Sequence, residues 1–150
     1  MGDFSQNGII SNLHDFGTKT TADIEKELVK FSKERKMELI LPSLYSELKG
    51  DALPNIVKQI GETKYLNHII IGLDKASKAE AIKAWKFFKK LNTPFTILWN
   101  DGPRLKKLHE ELKEKGLAPS EMGKGRNVWY CLGMCIARDE ARSVALHDCD

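Results

Sequence analysis

The sequence has no apolar run approaching the roughly 20 residues that a membrane-spanning helix needs. Its first residues also lack the basic stretch followed by an apolar stretch that marks a secretory signal. Cysteine is scarce, and the three residues, Cys131, Cys135 and Cys149, are odd in number and clustered late, which argues against a disulfide framework. We therefore expect no membrane span and a reduced, cytoplasmic compartment.

The sequence also lacks a large excess of either charge, since its formal net charge at pH 7 is only +3. Nucleic-acid binding depends on dense clusters of Lys and Arg, whereas here the Lys residues are mixed with Glu along helical faces. We therefore expect no nucleic-acid partner. Hydrophobic residues make up 41% and charged residues 30% of the 150 positions, a balance typical of one globular domain with one core.

Short apolar runs alternate with longer amphipathic runs along most of the chain. The apolar runs predict strands at 37–41, 68–73, 94–99 and 144–147. The amphipathic runs predict helices at about 22–35, 53–62, 77–91, 103–115 and 125–138, the third with Ala81, Ile82, Trp85 and Phe88 facing inward. This alternation predicts an α/β fold of Rossmann-like type, a mainly parallel sheet with helices on both faces. We assign residues 1–20 to an irregular segment and 21–150 to this domain.

Carboxylates follow three of the four predicted strands, at Asp74, Asp101 and the pair Asp148 and Asp150. Ligands bind beyond the carboxyl ends of the strands in such sheets, so these side chains should converge on one rim. Two carboxylates spaced by one residue could hold Mg²⁺ or Mn²⁺, which prefer oxygen ligands and share them with substrate phosphates. Taken alone, an Asp-x-Asp is more often a solvated loop or a pair of helix caps.

A second signal is the turn Gly123-Lys124-Gly125 at the start of the last predicted helix. Glycines permit close backbone approach, and a helix N-terminus favours anions. Lys124 and Arg126 add positive charge that suits a diphosphate. The spacing is not that of a Walker loop, and a flexible basic turn is an equally good interpretation of this motif in isolation.

The order of the two motifs is more informative than either motif alone. The Gly-Lys-Gly turn is followed by one helix and then by the strand that ends in Asp-x-Asp. This order resembles the GT-A glycosyltransferases, and most of all the glucosyl-3-phosphoglycerate synthase family. Members carry Pro-Ala-Leu-Asn-Glu-Glu after the first strand, where this chain has Pro-Ser-Leu-Tyr-Ser-Glu at 42–47, and an Asp after the second. The resemblance covers about residues 37–150. Tyr45 and Ser46 depart from the pattern, which leaves the choice of nucleotide base open.

The resemblance implies a role for each matching residue. The stretch after the first strand and Asp74 would hold the nucleoside, Lys124 would contact the nucleotide, and the Asp-x-Asp would hold the metal on the diphosphate. The implied nucleotide-binding residues are Pro42, Leu44, Glu47, Asp74, Gly123, Lys124 and Asp148, and the implied metal ligands are Asp148 and Asp150.

The function that the resemblance implies is metal-dependent transfer of a sugar from a nucleoside-diphosphate sugar. It further implies retaining transfer of glucose to 3-phosphoglycerate or a similar phosphorylated acceptor. The sequence stops at the Asp-x-Asp, so we expect a donor-binding half that is inactive alone. Two alternatives stay open: a nucleotidyltransferase-like sugar-phosphate enzyme, against which the late position of the Gly-rich turn counts, and a non-catalytic nucleotide-binding module. Association into a homo-oligomer is also left open.

Overall fold

The computed structural model describes residues 19–149, so the irregular segment expected at 1–20 lies almost wholly outside the described residues. Four strands form one sheet: β1 (Met37–Leu44), β2 (Leu66–Asp74), β3 (Phe95–Trp99) and β4 (Ser143–Leu146). Five α-helices connect or precede them: α1 (Thr21–Glu34), α2 (Ala52–Gly61), α3 (Lys78–Phe88), α4 (Pro103–Glu114) and α5 (Lys124–Arg138). A 3₁₀ helix at Tyr45–Lys49, which the periodicity did not predict, follows β1 directly.

The sheet has the strand order β3-β2-β1-β4, and every neighbouring pair is parallel. All four carboxyl ends therefore lie at the same edge, which confirms the predicted α/β fold and the shared rim. No helix within residues 19–149 is long and apolar enough to cross a membrane.

The two central strands are buried on both faces because helices cover each side. On one face, Leu41 and Ile71 pack in a core with Leu53 of α2 and Phe88 of α3. On the other face, residues of β1 and β2 pack against the sheet-facing side of α5. They form a smaller core that consists of Ile40, Ile70, Cys131 and Cys135. Helices on both faces are thus confirmed, and the two α5 cysteines are core residues.

The inward face of α3 is narrower than the sequence predicted. Ala84 and Phe88 are fully buried and Ala81 packs against the core. Ile82 and Trp85, predicted to face inward, are 51% and 47% exposed. Positions 81, 84 and 88 share one helix face, and this face alone reaches the sheet. Trp85 instead lies beneath the Lys89 ammonium, 4.8 Å from the ring centroid.

Local sequence signals fix where the helices begin. Ser77 starts α3 with a capping box, because its hydroxyl accepts the Glu80 N–H while the Glu80 carboxylate accepts the Ser77 N–H at 2.9 Å. Thr20 caps α1 by accepting the N–H of Asp23. Helix α5 begins after Gly123, whose φ of 139° is a conformation that other residues rarely adopt. This turn brings the start of α5 to the rim of the sheet.

Candidate functional site

A cavity of about 210 Å³ opens at the rim, between the ends of β1 and β2 and the start of α5. Its lining residues are Pro42, Ser43, Leu44, Glu47, Asp74, Lys75, Gly123, Lys124 and Asn127. Six of the seven residues predicted for a nucleotide site line this one cavity, although they come from three separate segments of the chain. Pockets for whole ligands usually measure about 300–1,000 Å³, so the volume suits part of a nucleotide sugar rather than all of it.

The segment after β1 gives the cavity one rigid wall. Pro42 and Ser43 are buried and still belong to β1, and the chain then turns into the 3₁₀ helix. The carboxylate of Glu47 accepts the backbone N–H of Leu44 at 2.9 Å, which ties that helix to the strand end. Glu47 therefore has a structural contact in addition to its position on the cavity.

Asp74 ends β2 and is 3% exposed. Its Oδ1 accepts the N–H of Lys75 at 3.1 Å and a hydrogen bond from Nη2 of Arg126 at 3.3 Å. Lys75 has φ 52°, a left-handed conformation that costs a non-glycine residue about 1–2 kcal/mol. Backbone strain next to a buried carboxylate on a cavity wall is a common feature of functional sites.

The loop after β3 supports the loop after β2 from outside the cavity. The Asp101 carboxylate accepts the N–H of Ala76 at 2.9 Å, and the indole N–H of Trp99 donates to the Ala76 carbonyl at 2.7 Å. These two contacts explain how the strained backbone at Lys75 is held. Asp101, one of the carboxylates predicted to reach the rim, does not line the cavity and instead holds the backbone two residues after Asp74.

Lys124 and Asp148 join the two motifs that the sequence singled out. Lys124 Nζ lies 2.5 Å from Asp148 Oδ1, and both side chains are about half exposed. Asp148 is not among the cavity-lining residues but lies beside the cavity through this ion pair. Asp150, the other predicted metal ligand, lies outside the described residues. Between them, Cys149 is 2% exposed and packs in the core, so the strand end is anchored next to Asp148.

Asn127 ties the first turn of α5 to β2. Its Nδ2 donates to the carbonyl of Gly72 at 2.8 Å, and its Oδ1 lies 3.7 Å from Sγ of Cys131. A Cβ on Gly72 would fall 1.7 Å from Oδ1 of Asn127. Glycine at this position is therefore what lets α5 approach the strand closely enough to complete the cavity.

The predicted nucleotide-binding residues left out three residues of the cavity, Ser43, Lys75 and Asn127, and Arg126 was misplaced. Ser43 and Lys75 carried a usable signal, because each lies at or directly after the end of a strand. Arg126 was expected to face a diphosphate, but its side chain is 10% exposed and pairs with Asp74. Nothing local marks that pairing, since 52 residues separate the two partners.

Of the two predicted metal ligands, Asp148 alone lies within the described residues. Within residues 19–149, no group of three or more His, Cys, Asp or Glu side chains could hold a metal ion. Mg²⁺ is commonly bound by one or two carboxylates together with substrate phosphates and water. Asp148 is a half-exposed carboxylate, and its Oδ1 is paired with Lys124.

Two curated relatives are similar to this chain over nearly its whole length. The glucosyl-3-phosphoglycerate synthase of Persephonella marina (strain DSM 14350 / EX-H1) is 43% identical over 150 residues, which is 100% of this chain and 37% of the relative. The glucosyl-3-phosphoglycerate synthase of Methanococcoides burtonii (strain DSM 6242 / NBRC 107633 / OCM 468 / ACE-M) is 33% identical over 142 residues, 94% of this chain and 34% of the relative. This chain thus spans little more than a third of the relatives' length.

No protein-family model matches the chain, and no solved structure matches it. The similarity to known proteins therefore rests on these two relatives, which have the same name. They also agree with the resemblance that the Gly-Lys-Gly turn and the Asp-x-Asp indicated.

Proposed function

We propose that the chain belongs to the glucosyl-3-phosphoglycerate synthase family of GT-A glycosyltransferases, since it is similar to part of two such synthases, and that it binds the nucleotide-sugar donor of a glucosyl transfer. The observation that carries the proposal is the convergence of six residues, from three chain segments, on one cavity at the carboxyl edge of a parallel sheet. That edge is where sheets of this type bind nucleotides.

The cavity accounts for the nucleoside end of the donor. Pro42 and Leu44 offer an apolar wall, and Asp74 offers a buried acceptor for a base or ribose donor group. The diphosphate then extends toward Lys124, whose ammonium lies at the mouth next to Asp148. A lysine at a helix N-terminus is well suited to a diphosphate, because its charge adds to the helix dipole.

Mg²⁺ or Mn²⁺ held by Asp148 and Asp150 would supply Lewis-acid stabilisation of the departing diphosphate. Lys124 would stabilise the same charge directly. Lys124 and the two aspartates would thus all serve the leaving group of the donor.

The names of the relatives support a proposal for the sugar and the acceptor. Both are called glucosyl-3-phosphoglycerate synthases, so we propose glucose as the transferred sugar and 3-phosphoglycerate as the acceptor, with retention of configuration at the sugar. We also propose a cytoplasmic location, since three cysteines, odd in number and clustered late in the sequence, fit a reduced compartment best.

The proposal is tested by calorimetric titration of the purified chain with UDP, GDP and ADP, each in Mg²⁺ and in EDTA. We expect one of the three to bind in Mg²⁺ and to lose at least about tenfold in affinity in EDTA, the loss of one or two charged contacts. Asp148→Asn should remove much of the metal-dependent part. Lys124→Ala should weaken binding in Mg²⁺ and in EDTA alike.

A matched control is Lys107→Ala, an exposed lysine on α4 that pairs with Glu111 away from the cavity. Its nucleotide affinity should equal that of the unsubstituted chain. Absence of binding by all three nucleotides would overturn the donor proposal, and affinity that is equal in Mg²⁺ and EDTA would overturn the bridging metal.

A further inference from the structure

Arg126 does not line the cavity, so its guanidinium is not in position to contact a diphosphate bound there. Its side chain is 10% exposed, and it donates to Asp74, whose side chain is 4% exposed. A charge so deeply buried loses most of its hydration, and among residues 19–149 it is the opposite charge of Asp74 that offsets this loss. Arg126 is thus committed to Asp74.

The hydrogen bonds of Asp74 are all on one side of its carboxylate. Lys75 and Arg126 both donate to Oδ1, and no residue within 19–149 donates to Oδ2 in the contacts of this carboxylate. Asp74 also lines the cavity. The pairing therefore fixes the carboxylate through one oxygen and leaves the second as the acceptor for a ligand.

The buried pair of Arg126 and Asp74 lowers the stability of the fold, which indicates that it has a role other than packing. Nε of Arg126 is buried and has no hydrogen-bond partner among the described residues. An unsatisfied buried donor lowers stability, and buried ion pairs seldom contribute more stability than apolar residues of the same size would. A polar pair kept at such a cost, on the wall of a binding cavity, is expected to contribute to binding.

We propose that Arg126 is a positioning residue for donor recognition: it holds the Asp74 carboxylate in the orientation in which Oδ2 accepts a hydrogen bond from the nucleoside. The proposal rests on the proposed function, since it assumes that the cavity binds a nucleoside. Arg126 itself contacts no ligand in this account, and its effect on binding passes entirely through Asp74.

A double-mutant cycle tests this account. The variants are Arg126→Gln, Asp74→Asn and the two combined, and the ligands are the nucleoside diphosphate that binds best in Mg²⁺ and inorganic pyrophosphate. We expect Arg126→Gln to weaken the nucleotide by at least about tenfold, the value of one charged hydrogen bond, and pyrophosphate by less than about threefold. In the Asp74→Asn background, Arg126→Gln should have little further effect on nucleotide affinity, since residues that act as one unit are not additive.

The same helix offers a matched control. Arg138 pairs with the buried Glu38 at 3.1 Å, at the opposite end of α5 and of the sheet. Arg138→Gln breaks a comparable buried pair and should lower the melting temperature while leaving both affinities unchanged well below it. Arg126→Lys, which keeps the charge, should recover part of the nucleotide affinity that Arg126→Gln loses.

The outcomes separate the two proposals. If the unsubstituted chain binds no nucleotide, the proposed function fails and the role of Arg126 fails with it. If nucleotide binds but Arg126→Gln binds it equally well, only the positioning role is overturned. Additive effects of the two substitutions, or an equal loss of affinity in Arg138→Gln, would likewise overturn the positioning role while leaving the donor site intact.

Discussion

At the scale of single residues, Gly72 shows how tightly α5 is seated on the sheet. Gly72→Ala would place a methyl group against Oδ1 of Asn127, which must then move and give up its buried hydrogen bond to β2. We expect a loss of about 2 kcal/mol or more in the free energy of unfolding, measured by urea denaturation.

Gly133→Ala is the matched control for Gly72→Ala. A Cβ at Gly133 meets nothing within 4 Å, and the residue lies inside α5, so this substitution should raise stability by up to about 1 kcal/mol. A Gly72→Ala variant as stable as the unsubstituted chain would show that α5 can lift from the strand without cost.

The thiols of Cys131 and Cys135 should be unreactive in the folded chain. Burial is the largest cause that raises the pKa of Cys131 to about 12 and that of Cys135 to about 11. The thiolate is the reactive form, so at pH 8 both should resist iodoacetamide for as long as the chain stays folded. Peptide mapping by mass spectrometry checks this, with alkylation in urea as the reference. Rapid labelling of either cysteine under native conditions would contradict the packing of α5.

What the sequence could predict about single residues depended on whether a local signal existed. Asp74 and Lys124 were correctly expected at the cavity, because Asp74 ends a recognisable strand and Lys124 lies within a recognisable glycine turn. The pairing of Arg126 with Asp74 and the contact of Asn127 with Gly72 were not found, because both partners lie far apart in the chain and neither contact leaves a periodic pattern.

At the scale of elements, the four strands and five helices were predicted to within a few residues. The main miss is the continuation of β1 through Pro42 to Leu44, together with the 3₁₀ helix after it. A proline within an apolar run normally marks the end of a strand. Here β1 pairs with β4 only up to Ile40 but with β2 up to Leu44. Pro42 therefore occupies a part of the strand that has one neighbour, where a missing N–H is tolerated.

The amino end of the sheet carries a buried polar cluster that should make stability depend on pH. Burial lowers the pKa of His68, with a further lowering from Arg138 that Glu38 and Glu140 partly oppose. The folded chain thus holds His68 neutral below the unfolded pKa of about 6.5. Its contribution to stability is complete above that pH and is lost as the pH falls through the lower folded value.

We expect the melting temperature to fall between pH 7 and pH 5, and this fall to be smaller in His68→Gln, which keeps a partner for the Thr96 hydroxyl. Scanning calorimetry across that range provides the measurement, with the exposed His147→Gln as control. Asp23 and Glu80, whose pKa values are lowered by hydrogen bonds, titrate at lower pH and do not enter this window. Parallel pH profiles for His68→Gln and the unsubstituted chain would remove His68 as the cause.

At the scale of the whole molecule, the central strands of the sheet are buried, whereas the edge strand β4 is exposed to solvent. The two central strands are buried on both faces, but every residue of β4 is exposed, and Val144 and Leu146 are 43% and 53% exposed. Beside this strand lies Asp148, also half exposed. The proposed donor site thus has a closed nucleoside end and an open diphosphate end.

This asymmetry predicts that the 150 residues alone bind a donor weakly and transfer no sugar. Transfer requires both reactants to be held in near-attack geometry, and the cavity of about 210 Å³ accommodates only part of the donor. The similar relatives are more than twice as long, and their additional residues are enough to form an acceptor pocket. The chain should be incubated with nucleoside-diphosphate glucose, Mg²⁺ and 3-phosphoglycerate, and a glucosylated product sought by mass spectrometry. Turnover on the order of 1 per second, ordinary for an enzyme, would show that the open end of this site already suffices to bind and orient an acceptor.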